Sequence, residues 1–248
     1  MKLDDIKKQF AMPLVSPSYP PGPYYFRDRE FLIISYRTDP EAIEQAVPEP
    51  LHVLEPMVKF EVIRMPDSTG FGSYTESGLT IPVLYKGMKG TFIVCMFLND
   101  HPPIAAGREI WGFPKKWGEP SLRVVRDQII GTLDYSGVRV ATGTMAYNYK
   151  ALDLEEIKRQ TEGSNFNLKI IPSVDGSVAL MQLIRYQMTD VKVKWAWKGP
   201  AALDVHPCAL APLYKFPVRE VIGGVHYLTD LTLPYGEVIY DYLKESES

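Results

Sequence analysis

Apolar residues along this chain fall mostly in short runs or at every second position, between turn-forming residues, which is the period of strands rather than helices. Glu30–Arg37 (EFLIISYR), Met57–Met65 (MVKFEVIRM), Gly90–Leu98 (GTFIVCMFL) and Asn167–Ile171 are β-branched or aromatic runs that read as strands. Ile129–Ala146 reads as a hairpin in which DYSG separates IIGTL from VRVATGTMA. Val174-Asp175-Gly176-Ser177 marks a second hairpin, joining LKIIP to VALMQLIRY.

Helical signals are fewer. Thr38-Asp39-Pro40-Glu41 offers a capping residue and a first-turn proline, and Ala42, Ile43, Ala46 and Val47 follow at helical spacing until Pro48. Asp153-Leu154-Glu155-Glu156 has capping-box spacing and opens a second short helix, and HPCALAPL, from His206, offers a shorter third turn. Twenty-one prolines, spread through most of the chain, leave little room for long helices. The proline-rich stretch 13–26 reads as an extended arm that wraps a neighbouring copy or its own domain. The expected architecture is one domain over residues 1–248, mainly β and antiparallel. With so many strands, unpaired edges would be a liability, so a closed or nearly closed barrel or cone with a few short helices is expected.

Composition narrows the function. At 46% hydrophobic and 23% charged the chain can build a substantial core, and 27 basic against 30 acidic residues give no basic surface for nucleic acid. No apolar run approaches the length of a membrane span, the N-terminal residues lack the apolar region of a secretory signal, and Cys95 and Cys208 form no disulfide framework. A cytoplasmic protein is expected. The chain has no GxGxxG, Walker A, GxSxG or HExxH motif, and His52, His101, His206 and His226 lack metal-ligand spacing. No metal and no cofactor are expected.

What remains is a lysine pair. GREIWGFPKKWGEP sets Lys115 and Lys116 among Trp111, Phe113, Pro114 and Trp117, an apolar collar of a kind that ammonium groups seldom have unless one is buried. At the reference pKa of about 10.4 a lysine is neutral roughly once in 2,500 molecules at pH 7, and only the neutral amine attacks a carbonyl. Lowering that value by roughly 3.5 raises the nucleophilic fraction about a thousandfold and requires the site to disfavour the ammonium by about 5 kcal/mol. Two ammoniums 7 to 10 Å apart near solvent repel by only about 2 kcal/mol. Adjacent residues of an extended segment also point to opposite sides, so desolvation is expected to outweigh repulsion from Lys116.

The proline stretch ending in GPYYFRDRE, together with YRTDPEAIEQAVPEPL, MPDSTGFGSYTESG, GREIWGFPKKWGEP, TLDYSGVRVATGTM and the closing VIYDYLK, resembles the acetoacetate decarboxylase family essentially from end to end. That family is itself the standing example of a lysine activated by desolvation or a neighbouring cation, so the resemblance and the lysine argument are not independent. The resemblance implies that Lys115 is a Schiff-base nucleophile with Lys116 beside it, that Arg29 and Glu76 are catalytic, and that Glu61 lines the pocket. Phe113 departs from the family's tyrosine before the proline, which removes a hydroxyl and makes the collar more apolar. The implied reaction takes acetoacetate to acetone and CO2 through an iminium and then an enamine, in a homo-oligomer.

A β-ketoacid needs a neutral amine, a cation for its carboxylate and a group that manages protons, and Lys115, Arg29 and Glu76 supply one each. Without the resemblance Arg29 reads as a surface ion pair, Glu61 as a solvent-facing strand carboxylate and Glu76 as a loop charge. Two other readings are a Schiff-base aldolase or dehydratase of the same family acting on a larger oxo-acid, and a non-catalytic small-molecule-binding β barrel.

Overall fold

The computed structural model describes residues 1–244. The strands are β1 (Tyr24–Arg37), β2 (His52–Val53), β3 (Met57–Met65), β4 (Asp67–Ser68), β5 (Tyr74–Tyr85) and β6 (Met88–Leu98). They continue with β7 (Lys115–Trp117), β8 (Glu119–Val125), β9 (Gln128–Tyr135), β10 (Val138–Ala146), β11 (Lys150–Ala151) and β12 (Ser164–Pro172). The last are β13 (Val178–Gln187), β14 (Thr189–Gly199), β15 (Ala201–Val205), β16 (Glu220–Leu233) and β17 (Glu237–Asp241). Four short α-helices punctuate them: α1 (Leu3–Ile6), α2 (Pro40–Glu44), α3 (His101–Ala106) and α4 (Leu154–Thr161).

Thirteen strands form one sheet, in the order β11-β14-β16-β1-β3-β5-β6-β12-β13-β17 with β2, β4 and β7 attached to β5, β1 and β6, while β15-β10-β9-β8 form a second. Neither sheet closes, so the expected barrel is corrected to two open sheets. The edges are managed by brevity instead of closure: β11 has two residues, β15 and β17 five each, and β8 carries Pro120 and charged residues. Between the sheets lies the main core, with Leu32, Ile34, Phe60, Val62, Leu79 and Ile81 of the large sheet against Leu122, Ile129, Leu133 and Val140 of the small one.

The 13–26 stretch is corrected too, since an extended arm is not what the structure shows. Tyr24–Phe26 already belong to β1, and the residues before them turn and bend. Tyr19 is buried there with its hydroxyl donating to Glu109, and the Gly22 amide donates to the Tyr235 hydroxyl at 2.8 Å. Both hairpins form where the turn residues put them, the first across Ser136 and Gly137, each with positive φ. Asp153 caps α4 by accepting from the amides of Glu155 and Glu156, whereas Asp39 caps nothing with its side chain and pairs instead with Arg219. The segment from His206 has no helix before a single 3₁₀ turn at Leu213–Lys215.

Candidate active site

Side chains on β1, β3 and β5 alternate between two buried faces. Leu32, Ile34, Phe60, Val62, Leu79 and Ile81 point into the core between the sheets, and the residues between them point the other way. That second face is not solvated: Phe31, Ile63, Tyr74, Ile93, Met96 and Tyr227 form a second cluster, closed over by Ile157 of α4 and Tyr186 of β13. Inside it is a cavity of about 220 Å³, lined among others by Arg29, Glu61, Glu76, Phe113 and Lys115.

Each polar side chain arrives there for a local reason. In β1 the register against β16 breaks between Phe26 and Arg29, around Asp28 with its φ of 54°, and this bulge turns Phe26 and Arg29 to the same side. Glu76 is the third residue of a twelve-residue strand, not part of a loop. The nearby Gly78 misleads: a Cβ there would lie 2.3 Å from the Cys95 carbonyl oxygen, so glycine marks a close approach of β6, beside a second bulge, rather than a turn. Lys115 follows α3, a π-helical turn at Gly107–Trp111 and the left-handed Gly112, and opens β7. β7 lies parallel to β6 along Met96–Leu98, at the end that β12 leaves free by pairing only with Gly90–Phe92.

Lys115 Nζ lies 3.3 Å from one Glu76 oxygen and Arg29 Nη2 lies 3.2 Å from the other, with all three side chains 7% exposed or less. The Arg29 guanidinium sits between the rings of Phe26 and Phe31, 5.1 and 4.8 Å from their centroids, and its buried Nε has no partner. Phe113 holds its ring 5.0 Å from Lys115 Nζ and packs edge-on against Tyr186. Glu61 accepts from the Thr80 hydroxyl at 3.2 Å.

Burial holds the Lys115 ammonium below its ordinary value; Glu76 pulls it back up and Arg29 pushes it further down. Lys116 has no part in this. It is exposed on the opposite side of β7, where it donates to the Leu210 carbonyl and lies over the rings of Phe97 and Tyr135. The neighbouring cation is therefore Arg29. Burial raises the Glu61 carboxyl above its usual range against the opposing pull of Lys59, Thr80 and Arg29. Burial likewise pushes Tyr74 and Tyr186 well above a phenol's usual value, so they face the cavity as neutral hydroxyls. One shielded amine, one cation with a spare donor and two unlike carboxyl groups can support imine formation on an oxo-acid and move its protons.

The structure thus brings Lys115, Arg29, Glu76, Glu61 and Phe113 together and leaves Lys116 outside. The collar differs from the expected one. Trp117 is 44% exposed, and Trp111 lies behind Phe113, bonded to the Pro234 carbonyl, so the apolar lining comes from distant strands. Tyr74, Thr80, Tyr186 and Gly107 escaped the sequence reading. Gly107 lies against the lysine's stem: an added Cβ would be 2.7 Å from Lys115 Cδ and 3.0 Å from Cε. A glycine eight residues before the lysine was the only signal.

The family model for acetoacetate decarboxylase (ADC) matches residues 11–243. A curated relative named acetoacetate decarboxylase, from Burkholderia ambifaria strain MC40-6, is 58% identical over 246 residues, which are 99% of this chain and 100% of the relative. A solved structure described as structural studies of acetoacetate decarboxylase superposes with a TM-score of 0.96 at 49% identity, covering 98% of this chain and 100% of the other. The acetoacetate decarboxylase of Legionella pneumophila subsp. pneumophila str. Philadelphia 1 gives 0.93 at 48% identity, over 98% and 97%.

Proposed function

Since the chain belongs to the acetoacetate decarboxylase family, we propose that it converts acetoacetate to acetone and CO2 through an imine on Lys115. The amine attacks the C3 ketone, and loss of water from the carbinolamine gives an iminium. The C–C bond to the carboxylate then breaks, CO2 leaves, and its electron pair flows into the iminium to form an enamine. Protonation at carbon and hydrolysis release acetone and the free amine.

The observation that carries this reading is a lysine buried beside apolar side chains, its ammonium disfavoured first by desolvation. Glu76, bridged between Lys115 and Arg29, orients the amine and takes up and returns protons as carbinolamine becomes imine. Arg29, with a donor to spare, turns toward the incoming carboxylate. Glu61 carries a proton more readily than an ordinary carboxyl group and supplies it to the enamine. Phe113 keeps water from the amine.

The family match over 11–243 supports a single functional domain across the chain, taking small β-ketoacids. Two free cysteines suit a cytoplasmic protein, and a homo-oligomer is expected by the resemblance. The test is borohydride added with acetoacetate. The expected product is an isopropyl group on Lys115, found by peptide mass analysis alongside CO2 release. CO2 without a trapped adduct would remove the imine, and neither would remove the activity.

A further inference from the structure

Directly paired strand residues point to the same face, so successive partners define a row across a sheet. The row through Lys115, Met96, Gly78, Glu61 and Ile33 does not stop at the cavity. It continues in register through Val225, Lys198 and Lys150, the last on the edge strand β11. At that far end lies a second cleft, of about 640 Å³, lined by Lys150, Lys198, Gly223 and Val225 among others. Ser35 and Val225 border both the cleft and the cavity. Lys59, paired with Ser35, stands in the cavity wall beside them. Among the described residues no carboxylate lies within 4.0 Å of the ammonium of Lys59, Lys150 or Lys198.

We propose that this cleft is the vestibule by which an anionic substrate reaches Lys115, and that Lys59, Lys150 and Lys198 attract its carboxylate. The proposal rests on the decarboxylase reading for the identity of that substrate, a small oxo-carboxylate.

The division of labour follows from the chemistry. As the C–C bond breaks, charge leaves the carboxylate, so a second cation gripping it beside Arg29 would stabilise the ground state more than the transition state. Within the cavity Arg29 already shares its charge with Glu76. Lys198 and Lys150, three and four strands from Glu61, raise the local concentration of the anion without holding the reacting group, and Lys59 passes it on from the cavity wall. Acetone and CO2 carry no charge, so the same field releases both.

The experiment compares the parent protein with Lys150→Gln/Lys198→Gln and Lys150→Glu/Lys198→Glu. Both side chains are exposed, and each variant is checked by thermal melting. Three to four strand spacings separate these lysines from Glu61, roughly 14 to 19 Å, and at that range Coulomb's law in water gives about a fivefold fall in kcat/KM on acetoacetate for the charge reversal at low ionic strength. The fall should be carried mainly by KM, be smaller for the glutamine pair, and fade near 1 M salt. Inhibition by acetone, which is neutral, should not follow it.

A ligand-observed NMR titration of acetoacetate, on Lys115→Ala with and without the glutamate pair, gives a readout free of turnover. Weaker binding that salt abolishes is expected. Equal affinities and an unchanged kcat/KM at low salt would overturn the vestibule, as would equal losses for acetoacetate and acetone. If the parent protein released no CO2, the decarboxylase reading would fall while the titration still decided the vestibule.

Discussion

The two faces of the large sheet are built from the same strands and are both buried, yet they are different materials. On β3, Phe60 and Val62 are fully enclosed in the apolar core between the sheets, while Glu61 between them faces a cavity lined by two carboxyl groups, an arginine and two lysines. One face maximises apolar contact and the other gives up stability to hold ionisable groups away from water. Alternation along a strand shows that two faces differ and does not show which of them is wet.

The hardest test of the polar face is Lys115→Ala, which removes the proposed nucleophile and leaves a small apolar side chain in an apolar pocket. Decarboxylation should be abolished while circular dichroism and melting stay those of a folded protein. A folded variant that keeps more than a few per cent of the activity would break the covalent mechanism.

Adjacent residues of one strand should then respond with opposite sign. Phe60→Ala opens a cavity in the core and should cost about 3–5 kcal/mol in denaturant unfolding. Glu61→Gln removes a carboxyl group that burial disfavours and should raise the melting midpoint near neutral pH by roughly 2 to 4 °C, as about 1 kcal/mol does in a chain of this size. Because the folded Glu61 value lies above its unfolded 4.5, its contribution to stability is full below 4.5 and is lost as pH rises through the folded value. The glutamine variant should lack that decline. Parallel pH–stability curves for the two proteins would mean that the carboxyl group feels no such burial.

Gly107→Ala should lower kcat by about a hundredfold without unfolding, since the new methyl group must displace the stem of Lys115 and misplacement by about 1 Å has that effect. Stopped-flow kinetics on acetoacetate will show it, and wild-type rates would mean that the stem relocates freely.

The smallest effect separates the two cations. Arg29→Gln removes a positive charge that lowers the Lys115 value, so beyond its loss of activity it should move the acidic limb of the kcat/KM profile to higher pH. Lys116→Gln, on the far side of β7, should move that limb by less than about one pH unit. A larger movement for Lys116 than for Arg29 would reverse the assignment.

Much of this was legible in the sequence, for identifiable reasons. β3 runs over Met57–Met65 as its alternation predicts, and the turn residues at Ser136-Gly137 and Val174–Ser177 set both hairpins. The burial of Lys115 and the exposure of Lys116 follow from adjacent positions in an extended segment. Features that depend on non-local contacts were illegible. Glu76 looked like a loop charge because the glycine beside it serves a neighbouring strand. Arg29 reaches the cavity only through a bulge at Asp28, and the edges are shortened instead of sealed into a barrel. Glu61 looked solvated because nothing within its strand reveals that α4 and β13 cover that side.

The three-residue strand that carries the lysine adds a time scale to this chemistry. Among the described strands β7 pairs only with β6, through one short parallel ladder flanked by the Met96 amide on the Pro114 carbonyl at 3.1 Å and the Gly118 amide on the Leu98 carbonyl at 3.0 Å, and Arg108 adds one donation to the Lys115 carbonyl at 3.2 Å. Segments tied by so few bonds open far more often than the molecule unfolds. An opening there would wet the amine and return it to ordinary basicity, so the neutral amine that the proposed imine mechanism needs would last only as long as the strand stays docked. The lifetime of that docked state, readable from amide exchange at Lys116 and Trp117, sets how long an ammonium that has shed its proton can wait for a substrate.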